Sequence, residues 1–145
     1  MNKRIVIFDC DHTFTSVNPT FQFLLLLRGL NGLIFDLICI LPDLIFSFLS
    51  NESEGIFIKT FINKSIQNSS RKKLKHVLHE LLPRLLIRKV RKKALSRLFF
   101  HKKKGDRVFL VTSSPEPFVA SLANYFEIEL IATKTTQPLI VTAQN

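Results

Sequence analysis

Ten residues near the start of the chain, Arg4-Ile5-Val6-Ile7-Phe8-Asp9-Cys10-Asp11-His12-Thr13, restrict what it can fold into more than any other stretch. The apolar run 5–8 is rich in β-branched side chains and apolar on both faces, which predicts a strand buried on both sides in an α/β sheet. The run ends abruptly in two carboxylates two positions apart, followed by a threonine. Ligands of open α/β sheets bind at the carboxyl ends of the strands, where these residues fall. Two carboxylates there repel each other unless a cation or a shared proton compensates. Mg²⁺ takes oxygen ligands and is commonly held by one or two carboxylates plus a substrate phosphate, and a carboxylate can itself attack phosphorus. The residues therefore point to a Mg²⁺-assisted phosphoryl-transfer site. Asp and Thr also favour turns and helix caps, so the pattern alone admits a purely structural role.

The chain has 145 residues, the size of one ordinary domain, and 46% hydrophobic residues are enough to build a core. Cys10 and Cys39 have no metal-type spacing. One lies in the site loop and one in an apolar stretch, so free thiols in a reducing compartment are expected rather than a disulfide. The first apolar run is too short for a signal peptide, and a cytoplasmic protein is expected.

An apolar region follows over 21–49. Arg28, Asp36 and Asp43 interrupt every 20-residue window that covers it, and Gly29, Asn31, Gly32 and Pro42 break the helical pattern. The preferred reading is two or three apolar helices that pack on each other or lie against a bilayer surface, ahead of a single spanning helix.

From Lys59 to Arg107 the composition turns basic, with 17 Lys and Arg against 2 acids. Asn68-Ser69-Ser70 is a cap signal before a helix over 71–82, in which Leu74, Val77, Leu78, Leu81 and Leu82 form one apolar face. Pro83 is expected to end or kink that helix, and a second is expected over 85–103, stopping at Gly105. The basic face reads first as a solvated surface and second as an attraction to anionic lipid. Nucleic-acid binding comes last, because no recognised nucleic-acid module accompanies the charge. His76, His79 and His101 do not form a metal set.

Arg107-Val108-Phe109-Leu110-Val111-Thr112-Ser113-Ser114-Pro115 predicts a second buried strand that ends in hydroxyls and passes into a helix at Pro115. Backbone N–H groups at such a junction bind phosphate, while Ser114 is also an ordinary helix cap. A helix over 116–125 with Phe118, Val119, Leu122 and Phe126 on one side, a third strand over 127–133 and a short β-type run over 139–142 complete the pattern.

Phe8-Asp9-Cys10-Asp11-His12-Thr13-Phe14-Thr15 resembles the first motif of the haloacid dehalogenase superfamily, in its phosphoserine phosphatase-like branch, and the stretch ending in Thr112 resembles the second. The resemblance implies a Rossmann-like parallel sheet built from 1–15 and 105–145, with a helical cap inserted over 16–104. It implies Asp9 as nucleophile and Asp11 as general acid/base, with Thr13 in support. It implies Mg²⁺ held by the Asp9 side chain and the Asp11 carbonyl, and the phosphoryl group bound by Thr112 with Ser113 beside it. The substrate would be a small phosphorylated molecule or a lipid phosphate. His12 stands where the family most often has Gly. The family's third motif, a Lys, and its fourth, an acidic pair, have no match here, since Lys134 directly follows the third strand. The expectation is therefore a truncated member with an incomplete sheet, its first strand left with an open edge. The competing expectation is a non-catalytic remnant whose basic, apolar helices bind anionic membrane surfaces.

Overall fold

The computed structural model describes residues 4–49 and 54–135. Among the described residues three parallel strands form the sheet, β1 (Ile5–Asp9), β2 (Arg107–Pro115) and β3 (Glu129–Thr133), in that spatial order. Ile5 stands opposite Arg107 and Asp9 opposite Val111, while Phe109 on the other side of β2 faces Glu129. The α/β class and parallel sheet expected from the sequence are what the chain forms.

One expectation fails at β1. Val6 and Phe8 pack against the core, but Ile5 and Ile7 are 66% and 65% exposed. The reason is topological. The connections from β1 to β2 and from β2 to β3 advance across the sheet in one direction, and right-handed crossovers then place both sets of helices on the same face. Val108, Leu110 and Thr112 are buried on that face, whereas Ile131 lies exposed with Ile5 and Ile7. Among the described residues β1 pairs with β2 alone.

Among the described residues, five α-helices separate β1 from β2. The first, α1 (Pro19–Leu49), runs through Asn31, Gly32 and Pro42; only Gly29 (φ 68°, ψ 171°) leaves helical geometry, and the helix kinks there. Of the four breakers expected, one breaks. Before the kink, α1 belongs to the core: Phe23, Leu24 and Leu27 are buried, and the Phe23 ring stacks on Phe118 at 4.0 Å. Beyond it, α1 packs on α2 (Glu54–Gln67). Two of the charges that interrupt the apolar stretch, Arg28 and Asp36, meet at the base of this pair. Asp36, fully buried, accepts from Arg28 Nε at 2.7 Å and Nη2 at 3.0 Å, from Ser65 Oγ at 3.0 Å and from Asn68 Nδ2 at 2.7 Å. Burial alone would raise its pKa, but these donors and the Arg28 charge outweigh it and hold the carboxyl below its ordinary value.

Ser70 caps α3 (Arg71–His76) as expected, accepting from Lys73 N. Pro83 does not end the helix. A wide turn over Val77–Leu81, with Leu82 N bonded to the Val77 carbonyl, precedes it, and α4 (Leu82–Arg88) continues in helical geometry. The break falls instead after Arg88, so the helix expected over 85–103 is two, α4 and α5 (Lys92–Lys103). Its cause is tertiary. Ser16 N donates to the Lys89 carbonyl at 2.8 Å, Arg91 N donates to the Phe14 carbonyl at 2.9 Å, and Thr15 and Val90 form an antiparallel bridge. Gly105 (φ 75°) terminates α5, and α6 (Glu116–Tyr125) buries Phe118, Val119 and Leu122 as its periodicity requires. The run 139–142 lies outside the described residues.

Candidate active site

β1 delivers Asp9 to the carboxyl edge of the sheet, and the chain then turns through Cys10–Phe14, closed by Thr15 N donating to the Cys10 carbonyl at 3.0 Å. Phe14 and Cys10 are fully buried and anchor the loop, while His12 adopts φ 56°, ψ 5°, the left-handed region. Burial, followed by the Asp11 charge, pushes the Cys10 thiol up to about 12, so it is no nucleophile at neutral pH.

Asp9 is exposed and Asp11 half-buried. Thr13 Oγ1 donates to Asp9 Oδ2 at 2.6 Å and lies 3.4 Å from the Asp11 carbonyl. Across the sheet, Thr112 Oγ1 donates to Asp11 Oδ2 at 3.0 Å, and Ser114 Oγ lies 3.4 Å from Asp11 Oδ1. Ser114 N donates to Thr112 Oγ1, also at 3.0 Å, which fixes the direction of the chain of hydrogen bonds toward the carboxylate. Desolvation raises the Asp11 pKa, and the Asp9 charge adds to it. The Thr112 and Ser114 hydroxyls and the His12 charge pull it back without cancelling the rise. The site thus holds an exposed carboxylate beside a carboxyl that keeps its proton to higher pH, the division of labour that nucleophile and acid require.

The structure brings together four residues singled out in the sequence: Asp9, Asp11, Thr13 and Thr112. Ser113 is exposed, on the opposite side of β2 from Thr112, and its carbonyl accepts from Thr133 Oγ1 at 2.7 Å. Ser114 occupies the inward position instead. It does not cap α6, which has no side-chain cap; its hydroxyl is held between Asp11 and Thr20 Oγ1, the latter at 3.0 Å. The signal for Ser114 was present, because Val108, Leu110, Thr112 and Ser114 share one face at a period of two. Nothing in the sequence pointed to Thr20.

Among the described residues no group of three His, Cys, Asp or Glu side chains is placed to hold a metal. The Asp9 carboxylate and the Asp11 carbonyl nevertheless turn toward the same hydroxyl, and both are the hard oxygen donors Mg²⁺ takes, so the residues fit that ion in kind.

The chain thus has a parallel sheet with a carboxylate pair at the end of its first strand, and comparison with known families places it. The family model of the haloacid dehalogenase-like hydrolases matches residues 6–143, and the chain belongs to that family. Nothing among curated proteins matches. A crystal structure of a protein of unknown function from Bordetella pertussis Tohama I shares the fold, with a TM-score of 0.65 and 23% identity over 92% of this chain. The chain spans 61% of that protein's length.

Proposed function

We propose that the chain carries the phosphomonoesterase chemistry of the phosphoserine phosphatase-like branch, on a cytoplasmic substrate that is a small phosphorylated molecule or a lipid phosphate. The observation that carries this reading is the pairing of Asp9, exposed and unencumbered on one oxygen, with Asp11, a half-buried carboxyl of raised pKa held by Thr112 and Ser114.

Asp9 Oδ attacks phosphorus, the bond from phosphorus to the leaving oxygen breaks, and that oxygen takes the Asp11 proton. Asp11, now a carboxylate, accepts a proton from the water that attacks the aspartyl phosphate, which releases phosphate and restores Asp9. Thr112 orients Asp11 and offers its hydroxyl region to the phosphoryl oxygens. The Asp9 carboxylate and Asp11 carbonyl would hold Mg²⁺, which when bound supplies the positive charge that offsets the Asp9 carboxylate facing a phosphate. The helices between the strands, residues 16–104, would act as a cap over 1–15 and 105–145.

A second reading, a non-catalytic remnant, is favoured by one feature: among the described residues no Lys or Arg forms an ion pair with Asp9 or Asp11. The two readings separate on phosphate release from a generic aryl phosphate with Mg²⁺ in excess. Turnover that disappears in Asp9→Asn supports the hydrolase; turnover unchanged in that variant, or none in the parent chain, sinks it.

A further inference from the structure

Among the described residues, the second half of α1 presents an apolar face that no other element covers. Leu30, Ile34, Leu37, Ile38, Leu41 and Ile45 are 43–63% exposed. At about 100° per residue they fall within an arc of about 100°. The opposite side of the same segment is the one that holds Leu33, Asp36 and Ile40, all buried. The arrangement inverts what an amphipathic surface helix does in water: Arg28 and Asp36 are turned toward α2 and satisfied there, Asp36 by Ser65 of α2 and by Asn68 just after it, and the aliphatic side chains are turned outward. A continuous patch of this kind on a soluble surface marks an interaction site.

We propose that this face docks in the interfacial layer of an anionic bilayer, lying in the membrane plane and not crossing it. Charge selects the occupant. The chain carries a net charge of +10, and the 17 Lys and Arg over 59–107 begin within α2, at Lys59 and Lys64, and continue through the segment that follows it. A second copy of so basic a chain would be repelled from the patch, whereas an anionic lipid surface would be attracted. Composition over Pro19–Pro42 is apolar enough for a span, but Gly29 divides that segment and its first half is committed to the core through Phe23, Leu24 and Leu27. The paired helix α2 exposes Lys59 and Asn63, which a spanning hairpin would have to carry into hydrocarbon. One apolar face on a helix whose other face is occupied is the geometry of surface insertion. The inference stands independently of the hydrolase reading, since it uses no residue of the candidate site.

The test uses the full chain with vesicles of phosphatidylcholine, with and without phosphatidylglycerol. Co-sedimentation is expected with the anionic vesicles, weak with the neutral ones, and reduced when about 1 M salt shortens the screening length to about 3 Å. Ile34→Glu with Ile38→Glu should weaken binding by more than about tenfold, and Tyr125→Ser, an equally exposed aromatic elsewhere, should bind as the parent does. Because the chain contains no Trp, Ile38→Trp supplies a single reporter even where the charged double variant does not fold. Its emission should shift to the blue on anionic vesicles and be quenched by lipids brominated near the headgroup. Equal binding by the double variant, an unshifted Trp, or a chain retained on membranes through an alkaline carbonate wash would each overturn the proposal, the last in favour of a spanning helix. Vesicle-independent dimers that the double variant dissolves would overturn it in favour of self-association.

Discussion

Asp36 and Asp11 are both drawn out of water and both held by several donors, yet their chemistry is pushed in opposite directions. At Asp36 the donors include a guanidinium, and the pair sits where α1 and α2 pack together and fastens them. At Asp11 the donors are hydroxyls, the nearest formal charge of consequence is the like charge of Asp9, and the proton is retained. Burial is common to the two. The sign of the partner separates a carboxylate that braces from one that can give up a proton on demand.

The comparison breaks most visibly if the brace is cut. Asp36→Ala leaves Arg28 largely buried with no counter-charge, and should destabilise the chain by about 3–5 kcal/mol in a urea melt. Replacing both partners, Arg28→Met with Asp36→Leu, should recover most of that loss. Asp11→Asn should do the reverse: stability unchanged or slightly higher, and any Mg²⁺-dependent turnover lower by about 10²–10⁴-fold. Ser114→Ala, which removes a bridge between Asp11 and Thr20, should cost about 1 kcal/mol and a smaller share of turnover.

The pH dependence of stability sharpens the contrast further. The folded-state pKa of Asp36 lies below 3.8, so its contribution is present above that value and is lost as pH falls through the lower, folded pKa. The folded-state pKa of Asp11 lies above 3.8, so the folded chain binds the extra proton there, and stability is lost as pH rises from 3.8 through the raised value. Urea midpoints against pH should show both slopes; Asp36→Asn should flatten the acid limb and Asp11→Asn the limb above it. The smallest effect is expected at His12. His12→Gly should relieve a left-handed backbone that costs a residue with a Cβ about 1–2 kcal/mol, partly offset by the entropy Gly loses, for a net gain below about 1 kcal/mol.

What could be read from the sequence follows the range of the forces involved. Asp9, Asp11 and Thr112 were legible because each follows an apolar run that is itself a local strand signal. Ser114 was misassigned because Pro115 and Pro117 announce a helix start, and a serine before such a start looks like a cap; the strand in fact continues through Pro115. The exposure of Ile5 and Ile7 was hidden because apolar residues on both faces of a strand do not say which neighbour covers which face. Pro83 and the break at Lys89 show the limit most plainly. A wide turn absorbed the proline, and the loop beside Asp11 imposed the break from elsewhere in the chain.

The pairing of β1 with β2 also sets an order of events. Ile5 finds its partner at Arg107, so the first strand leaves the ribosome about 100 residues before the strand that receives it. At about 5–20 residues per second that is a wait of about 5–20 s. The helices close over short loops in microseconds to milliseconds. Asp9 and Asp11 are thus made before the rest of the candidate site and are among the last of its groups to be assembled, and during that interval Ile5, Val6, Ile7 and Phe8 are an unpaired β-rich segment, open to wrong pairing.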